Sequence, residues 1–584
     1  MSSSTAKRKK SSDEDRLIAS TRRLSLEPAP DPRREAKPAD ETEESDVEED
    51  AGGWAPDRQS DWGSLLADLS RPDENTTLRV HDRTHLEFLL DYDLRADARA
   101  ETFEWEAYFF APESLRLTSR TYDKQDLYSD LQSYVRFAVP ETPFSELCGA
   151  PLDRVRAAFA KKDPTSILCE LRFYACVVRA AGVEARRSIL AGLEVATPSM
   201  VPPPPGSGPR EIAAPSRRAI ALAAADRMIA DVATIASSMR TALEPARTMT
   251  DPVLTAASWT DEDVSRLLET LMANLAFGLR DARAPEGLIA KAEAAAVAEA
   301  RYRDANGLDG IGHVGMPSRQ AEHLEFRRHV LKRFTSSVLW LEPEVKAAST
   351  WVLHFFYAIA ASVAMAFAVA AALWGPAGMA VGPTGFLGTD FFKWAVVAIL
   401  AYAAKDRIKA LLQTIFTNVV ARHFPDRSWR IRDASKKHEL ASMEEQSGFI
   451  PFEELPPEVL EVRRATRVST LEEEARPETV LYHKKTVVVD RSLVRKIEPR
   501  YDAITEVYRF DLRRWLAHTD DPKRQFAFAD PRQGVVARAS APRVYNLGIV
   551  YRLKRAGDSS DTGRWHRVRV VVTRKGIRRI EAIS

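Results

Sequence analysis

Cysteine is scarce in this sequence, and the motifs of the common catalytic and cofactor sites are missing. Three cysteines in 584 residues cannot form a disulfide framework, and so low and odd a number is typical of a reducing compartment. The chain contains no P-loop, HExxH, GxSxG or CxxC pattern. Residues 1–16 lack the apolar stretch at the centre of a cleavable signal peptide. We therefore predict no catalytic residue, no cofactor and no metal site, and we recognise no named family in the sequence.

An excess of charge of one sign is also missing. The chain has 84 basic and 83 acidic residues and a formal net charge of +1. This balance argues against nucleic-acid binding by the chain as a whole, although it leaves room for local charged patches. A hydrophobic content of 45% is enough for real cores, and 584 residues are too many for one core. We expect three or four folded units.

Two apolar runs predict a transmembrane hairpin. Residues 351–373 carry no full charge, and a helix of this length crosses about 30 Å of hydrocarbon. The second run, residues 391–404, is shorter and contains Lys393, whose long side chain can reach the membrane interface. The connection between the runs is rich in Gly and Pro and has no Lys or Arg, whereas both outer flanks are basic. The positive-inside rule therefore places both termini in the cytoplasm.

The predicted fold is a multi-domain α+β membrane protein, in which a two-helix transmembrane hairpin separates cytoplasmic β-rich and helical modules. We expect an integral protein of the cytoplasmic (inner) membrane, with the lipid bilayer as one partner. The predicted units are a disordered tail (1–74), a small α+β domain with a β-hairpin (75–148), a helical region with a Pro-rich insertion near 201–209 (149–345), transmembrane helix 1 (350–374), a short extracytoplasmic loop (375–386), transmembrane helix 2 (387–405) continuing as a cytoplasmic helix to about 422, an irregular linker (423–477) and a β-rich cytoplasmic domain (478–584).

Alternating apolar residues predict the β-hairpin of the first folded unit. Residues 86–94 and 103–109 each place an apolar side chain at every second position, and the connection between them is short. We therefore expect the two strands to pair and to bury one face. Helical spacing of Leu127, Leu131 and Val135 predicts a helix over residues 123–137.

Short motifs elsewhere have simpler explanations than ligand binding. Residues 310–315 match GxGxxG, but a helical segment precedes them, whereas a dinucleotide site needs a strand before the motif and a helix directly after it. We interpret them as a loop between helices. Cys169 and Cys176 fit one face of an apolar helix, and His81 and His85 have no third ligand nearby, so neither pair predicts a metal site.

Two oppositely charged patches are the candidate interaction sites. If the N-terminal hairpin forms, its outer face gathers carboxylates, and like charges across strands are destabilising unless they are neutralised or well solvated. The carboxylates could be acid/base groups, a divalent-cation site, a docking patch or a solvated face. Opposite charge predicts that they dock on a basic C-terminal hairpin, within one chain or between neighbours. The candidate residues are Glu87, Asp91, Asp93, Glu104, Glu106, Arg567, Arg569, Arg574, Lys575, Arg578 and Arg579.

Long modules on both sides of a minimal membrane hairpin suit binding better than transport. We therefore expect a membrane-anchored cytoplasmic scaffold or regulatory protein that acts through a protein partner or self-association, without nucleic acid. One alternative is an oligomeric two-span ion channel or transporter. A second is an enzyme with an unrecognised cytoplasmic site.

Overall fold

The computed structural model describes residues 76–583 except for 96–97, 194–212, 309–310, 347–348, 378–388, 434–437, 465–477 and 558–562. The predicted disordered tail, the Pro-rich insertion and most of the predicted extracytoplasmic loop lie outside these residues. Within them the fold is α+β, with open antiparallel sheets and twelve helices.

Two large sheets and one separate hairpin contain the strands of the described residues. The strands are β1 (Thr76–Val80), β2 (His85–Asp93), β3 (Ala100–Pro112), β4 (Leu131–Phe137), β5 (Glu342–Lys346), β6 (Arg427–Arg432), β7 (Glu439–Ile450), β8 (Glu478–Asp490), β9 (Ala503–Asp511), β10 (Lys523–Asp530), β11 (Val535–Pro542), β12 (Tyr545–Arg555), β13 (His566–Thr573) and β14 (Gly576–Ala582). The four-stranded sheet has the order β1-β2-β9-β4, and the eight-stranded sheet has the order β14-β13-β12-β3-β8-β7-β6-β5. Strands β10 and β11 pair only with each other.

The two large sheets pack face to face as a sandwich. Alternation along each strand gives it one apolar face, and those faces meet in a single core. Phe88 of the four-stranded sheet lies edge-on to Trp105 of the eight-stranded sheet, with ring centroids 5.3 Å apart. Phe109 and Phe510 meet across the same space at 5.2 Å. Aromatic side chains from both sheets therefore fill the centre of the sandwich.

The predicted β-hairpin between β2 and β3 does not form. Strand β2 pairs with β1 and β9, whereas β3 pairs with β8 and β12. The short connection carries the chain from one sheet to the other, so the apolar faces of β2 and β3 oppose each other instead of lying side by side. The N-terminal strands consequently share both sheets with strands from the C-terminal part of the chain.

Among the described residues, six helices lie between β4 and β5, two long helices lie between β5 and β6, and four short helices lie elsewhere. The helices are α1 (Lys124–Asp130), α2 (Ala150–Lys161), α3 (Pro164–Leu193), α4 (Ala213–Leu243), α5 (Asp251–Asp281), α6 (Glu286–Ala305), α7 (Ser318–Ser336), α8 (Ser349–Ala377), α9 (Thr389–His423), α10 (Pro457–Arg464), α11 (Arg491–Ile497) and α12 (Arg513–Leu516). Apolar side chains of α3, α4, α5 and α6 continue the core of the sandwich.

Two local predictions need correction. The helix predicted over residues 123–137 ends at Asp130, and Leu131 begins β4, because this segment pairs with β9 and thereby completes the four-stranded sheet. The predicted irregular linker at 423–477 contains β6, β7 and α10, since β7 pairs with β8 over ten residue positions. The partner of β4 is distant in sequence, whereas β6 and β7 pair with the next strands along the chain.

The apolar runs form α8 and α9, which pack along each other through contacts such as Phe356 with Phe416. Within the residues that the structure describes, no helix combines the length and the apolar character needed to cross a membrane. The predicted transmembrane hairpin, the membrane-protein fold class and the integral inner-membrane location are therefore wrong. The prediction relied on the absence of charge over residues 351–373. In α9, Lys405, Asp406 and Arg407 follow the short apolar run within the same helix.

Candidate functional site

The predicted acidic patch is divided between the two sheets. Glu87 lies on β2 and pairs with Arg79 and with Arg509, whose Nε is 2.7 Å from Glu87 Oε2. Asp91 accepts a hydrogen bond of 2.7 Å from the hydroxyl of Thr505. Both residues lie directly opposite these β9 partners in the strand pairing. Glu87 and Asp91 therefore have partners within the four-stranded sheet.

The other acidic residues have basic partners on β12. Glu104 is 2.9 Å from Lys554, and Glu106 is 3.2 Å from Arg552; each pair lies directly opposite in the β3–β12 register. Asp93 is 3.5 Å from Arg555. The like-charge repulsion expected across a β2–β3 hairpin is absent from these contacts, because each carboxylate faces a basic residue of the C-terminal region.

The predicted basic patch uses different partners. Arg569 and Arg579 both bind Glu581, at 2.6 and 2.5 Å. Arg574 is 3.4 Å from Asp521, and Arg567 donates to the carbonyl of Val462. Lys575 is exposed and Arg578 is half-buried. N-terminal acids and C-terminal bases thus meet inside one chain, but through Arg509, Arg552, Lys554 and Arg555.

A group of polar side chains that the sequence interpretation missed lies between the sheets. We call it the sandwich cluster. It comprises Glu445 and Ser447 of β7, His483 and Lys485 of β8, and Glu506 and Tyr508 of β9.

Strand alternation explains how these polar residues come to be buried. His483 and Lys485 occupy the same face of β8 as Leu481, Val487 and Val489, all of which are buried. On the neighbouring strand, Glu445 lies directly opposite Lys485 and Ser447 directly opposite His483. Glu506 and Tyr508 reach the same space from β9 in the other sheet. The cluster therefore joins the two sheets.

Lys485 is shared between two buried carboxylates. Its Nζ is 2.9 Å from Glu445 and 2.5 Å from Glu506. Glu506 also accepts hydrogen bonds from the hydroxyls of Tyr92 and Ser133, at 2.6 and 2.5 Å. Burial disfavours the charged form of Lys485, but attraction by Glu506 and Glu445 raises its pKa above the usual value. The ammonium group therefore stays charged inside the sandwich.

Glu445 also stays charged. Burial alone would raise its pKa, but the charge of Lys485 and hydrogen bonds from Lys485 and Trp429 lower it to about 2. The Trp429 indole donates to Glu445 over 3.2 Å. Hydrogen bonds from Trp429 to Glu445 and from Tyr92 and Ser133 to Glu506 help to stabilise the carboxylates in this buried position.

His483 forms the second half of the cluster. Its Nδ1 is 2.5 Å from Ser447 Oγ, and its Nε2 is 2.7 Å from the Tyr508 hydroxyl. Burial lowers the pKa of His483 to about 3, so the imidazole is neutral near pH 7. Serine beside histidine is the combination of a nucleophile and a general base. Both side chains are fully buried, however.

A cleft with about 450 Å³ of empty space lies beside the cluster. Its walls include Tyr128, Arg427, Trp429, Glu445 and Tyr508. The Arg427 guanidinium is 4.3 Å from the centre of the Tyr128 ring, which places a cation of the chain itself against the aromatic wall. The cleft therefore already contains a positive group close to its buried carboxylate.

The outer surface of the α8–α9 pair has the opposite character. Ala360 and Ala364 of α8 are buried, whereas larger apolar side chains along both helices are exposed. We call these the helical-pair surface: Phe355, Val363, Met365, Phe367 and Val369 of α8, with Val396, Ile399, Leu400, Tyr402, Leu411 and Ile415 of α9.

Residues with metal-binding potential are not assembled into a site. Among the described residues, no group of three or more His, Cys, Asp or Glu is placed to hold a metal ion. The His81 and His85 rings meet edge to face, with centroids 6.3 Å apart. Cys169 is exposed, whereas Cys176 is buried on the same helix.

Comparisons of the chain with protein-family models, curated proteins and solved structures found no match. The function is therefore inferred from the geometry described above.

Proposed function

We propose that the protein is a scaffold or regulatory protein that works by binding another protein, and that the partner covers the helical-pair surface. The exposure of apolar side chains along both helices carries this proposal. Leu400 is 63% exposed and Ile399 is 67% exposed. Monomeric proteins rarely expose contiguous apolar patches larger than a few hundred Å², and larger patches mark interaction surfaces.

The spacing of the exposed side chains supports a helical partner. Val396 and Leu400 are four residues apart on α9, and Leu411 and Ile415 repeat this spacing about four turns later. Such a stripe, beside the exposed side chains of α8, forms ridges and grooves that suit the apolar face of an amphipathic helix. The partner that fits is therefore a protein with an apolar helical face.

The alternatives have weaker support. A two-span channel would need membrane-crossing helices, and the described residues contain none. An enzyme built on Ser447 and His483 would need access to two side chains that are fully buried.

A photo-crosslinking amino acid at Leu400 or Ile415 tests the proposal in cells. We expect discrete adducts with a protein from these positions but not from Asp406, which is exposed on the same helix. The proposal would be overturned if no protein adduct formed at Leu400 or Ile415, or if the crosslinker at Asp406 gave an equal yield of adduct.

Reconstitution with the purified crosslinked protein provides the quantitative test. Leu400→Gln combined with Ile415→Gln should weaken binding at least about tenfold, because both side chains would be desolvated in the complex. Asp406→Asn should leave the affinity unchanged. If the unmodified chain, the double variant and Asp406→Asn bound the partner with equal affinity, the helical-pair surface would be ruled out as the binding site.

A further inference from the structure

The hairpin formed by β10 and β11 is isolated from the rest of the β structure. It joins neither large sheet, and its side chains are mostly exposed, including Phe526 at 46% and Phe528 at 43%. A two-stranded hairpin is marginally stable in water, and its unpaired edges are templates for further strands. We call residues 523–542 the arm.

One face of the arm is apolar at its centre and charged at its ends. In the strand register Phe526 lies opposite Ala539, and Phe528 lies opposite Ala537. The two phenylalanine rings are neighbours, with centroids 6.0 Å apart. Arg524 and Asp530 occupy the same face of β10, one on each side of the phenylalanines, because all four residues have even numbers.

We propose that two copies of the chain associate through the free edge of β10, antiparallel about a twofold axis, so that the two arms form one four-stranded sheet. This self-association is independent of the partner proposed for the helical pair. It is the symmetric form of strand addition to an exposed sheet edge.

Backbone geometry restricts the register of this pairing. Alternate residues of β10 direct their N–H and C=O groups toward β11, and the others direct them outward. Only outward-directed residues can bond to outward-directed residues of the second copy, so paired residues must both be even or both be odd.

A pairing centred on Ala527 meets this condition and also matches the side chains. It places Phe526 opposite the partner's Phe528, and Arg524 opposite the partner's Asp530. Twofold symmetry repeats both pairs, which gives two adjacent cross-strand pairs of phenylalanine with an ion pair on each side. Aromatic pairs and opposite charges across antiparallel strands are both stabilising.

Charge complementarity selects β10 over β11. The only charged residue of β11 is Arg538, so antiparallel pairing of two β11 strands would bring no acid to face it. Within the described residues Arg524 makes no ion pair. Asp530 accepts hydrogen bonds through Oδ1 from the backbone N–H groups of Arg532 and Gln533, at 2.8 and 3.3 Å. Its Oδ2 is the atom that a second arginine would contact.

Charge reversal with the purified full-length chain tests this interface. Arg524→Asp brings acid against acid, and Asp530→Arg brings base against base. Each single variant should weaken dimerisation at least about tenfold, because each creates two like-charge pairs per dimer. The dissociation constant is measured by sedimentation velocity.

An equimolar mixture of the two variants is the decisive sample. Dimers should form again, because the carboxylates of one variant then face the arginines of the other. Arg538→Asp makes the same change of charge on the other strand and should dimerise like the unmodified chain. Melting temperatures of all variants should agree, since the substituted side chains lie on an exposed arm.

Any of three results would overturn the proposal. The unmodified chain could stay monomeric at every concentration reached, the single variants could dimerise as well as the unmodified chain, or the mixture of variants could fail to regain association. Ala527→Pro gives an independent check, because proline cannot donate a hydrogen bond at the centre of the strand, and it should weaken the dimer without any change of charge.

Discussion

Between the two sheets, the ionisable side chains of Lys485, Glu445 and Glu506 are buried; on the α8–α9 pair, Leu400 and its neighbours are apolar and exposed. Both regions depart from the usual distribution of residues, in opposite directions. The buried charges have partners within the chain at hydrogen-bonding distance, which offsets the cost of removing them from water. Within the part of the chain that the structure describes, the exposed apolar side chains have no such cover. The buried ionisable side chains are thus explained by contacts within the chain, whereas the exposed apolar side chains are explained by the partner that we propose.

The largest effect should come from removing the buried cation. Lys485→Met leaves two buried carboxylates without their shared counter-ion, and we expect a loss of about 3–5 kcal/mol in the free energy of unfolding. Urea denaturation measures this loss.

Lys484→Met is the matched control. Lys484 directly precedes Lys485 and lies on the opposite face of β8. Its side chain is 45% exposed, and its Nζ is 3.7 Å from Glu106. Loss of such an exposed pair should cost less than about 1 kcal/mol. Equal losses for the two variants would show that burial of the charge does not distinguish these lysines.

A smaller effect should appear in the pH dependence. The pKa of His483 is about 3 in the folded chain, against 6.5 ordinarily. Between about pH 3 and pH 6.5 the unfolded chain binds a proton at His483 that the folded chain does not. The free energy of unfolding is therefore not reduced by His483 above pH 6.5, and it decreases as the pH falls below that value. From pH 7 to pH 5 the loss is about 2 kcal/mol.

Unfolding at both pH values separates His483 from other groups. In His483→Gln the difference between pH 7 and pH 5 should shrink by this amount, whereas His313→Gln, at an exposed position, should retain the full difference. Glu445, with a pKa lowered from 4.5 to about 2, contributes only at lower pH. An unchanged pH dependence in His483→Gln would mean that this imidazole titrates alike in both states.

The smallest effect should be at the helical-pair surface. Leu400→Ala should change the stability of the isolated chain by less than about 0.5 kcal/mol, because the side chain is exposed. The same substitution at Leu86, which is fully buried, should cost about 2–5 kcal/mol. A loss above about 1 kcal/mol at Leu400 would show that this chain itself covers the residue.

The alternation of apolar residues predicted the positions of strands more reliably than it predicted which strands pair. The alternation in β8, β9 and β12 is visible in the sequence, as is the turn between β13 and β14, where Thr573 pairs with Gly576. The partner of β2 was misassigned because a short connection favours a local hairpin, whereas its neighbour β9 lies far along the chain. Local patterns carry no information about such pairings.

The sandwich cluster was partly accessible from the same patterns. His483 and Lys485 share the parity of Leu481, Val487 and Val489, so two polar residues in an apolar register could have been flagged as buried. The identity of the counter-ions could not, because Glu506 belongs to the opposite sheet.

The pairing of early with late strands determines when the sandwich can form during synthesis. The side chains of Asp91 and Thr505 bond across 414 residues of sequence. At roughly 5–20 residues per second, β2 must wait roughly 20–80 s for β9 to be synthesised. The helices between β4 and β5 emerge during that interval and can fold first. Strands β2 and β3 spend the same interval with their apolar faces uncovered, so the nascent chain is most exposed to aggregation before its last strands have left the ribosome.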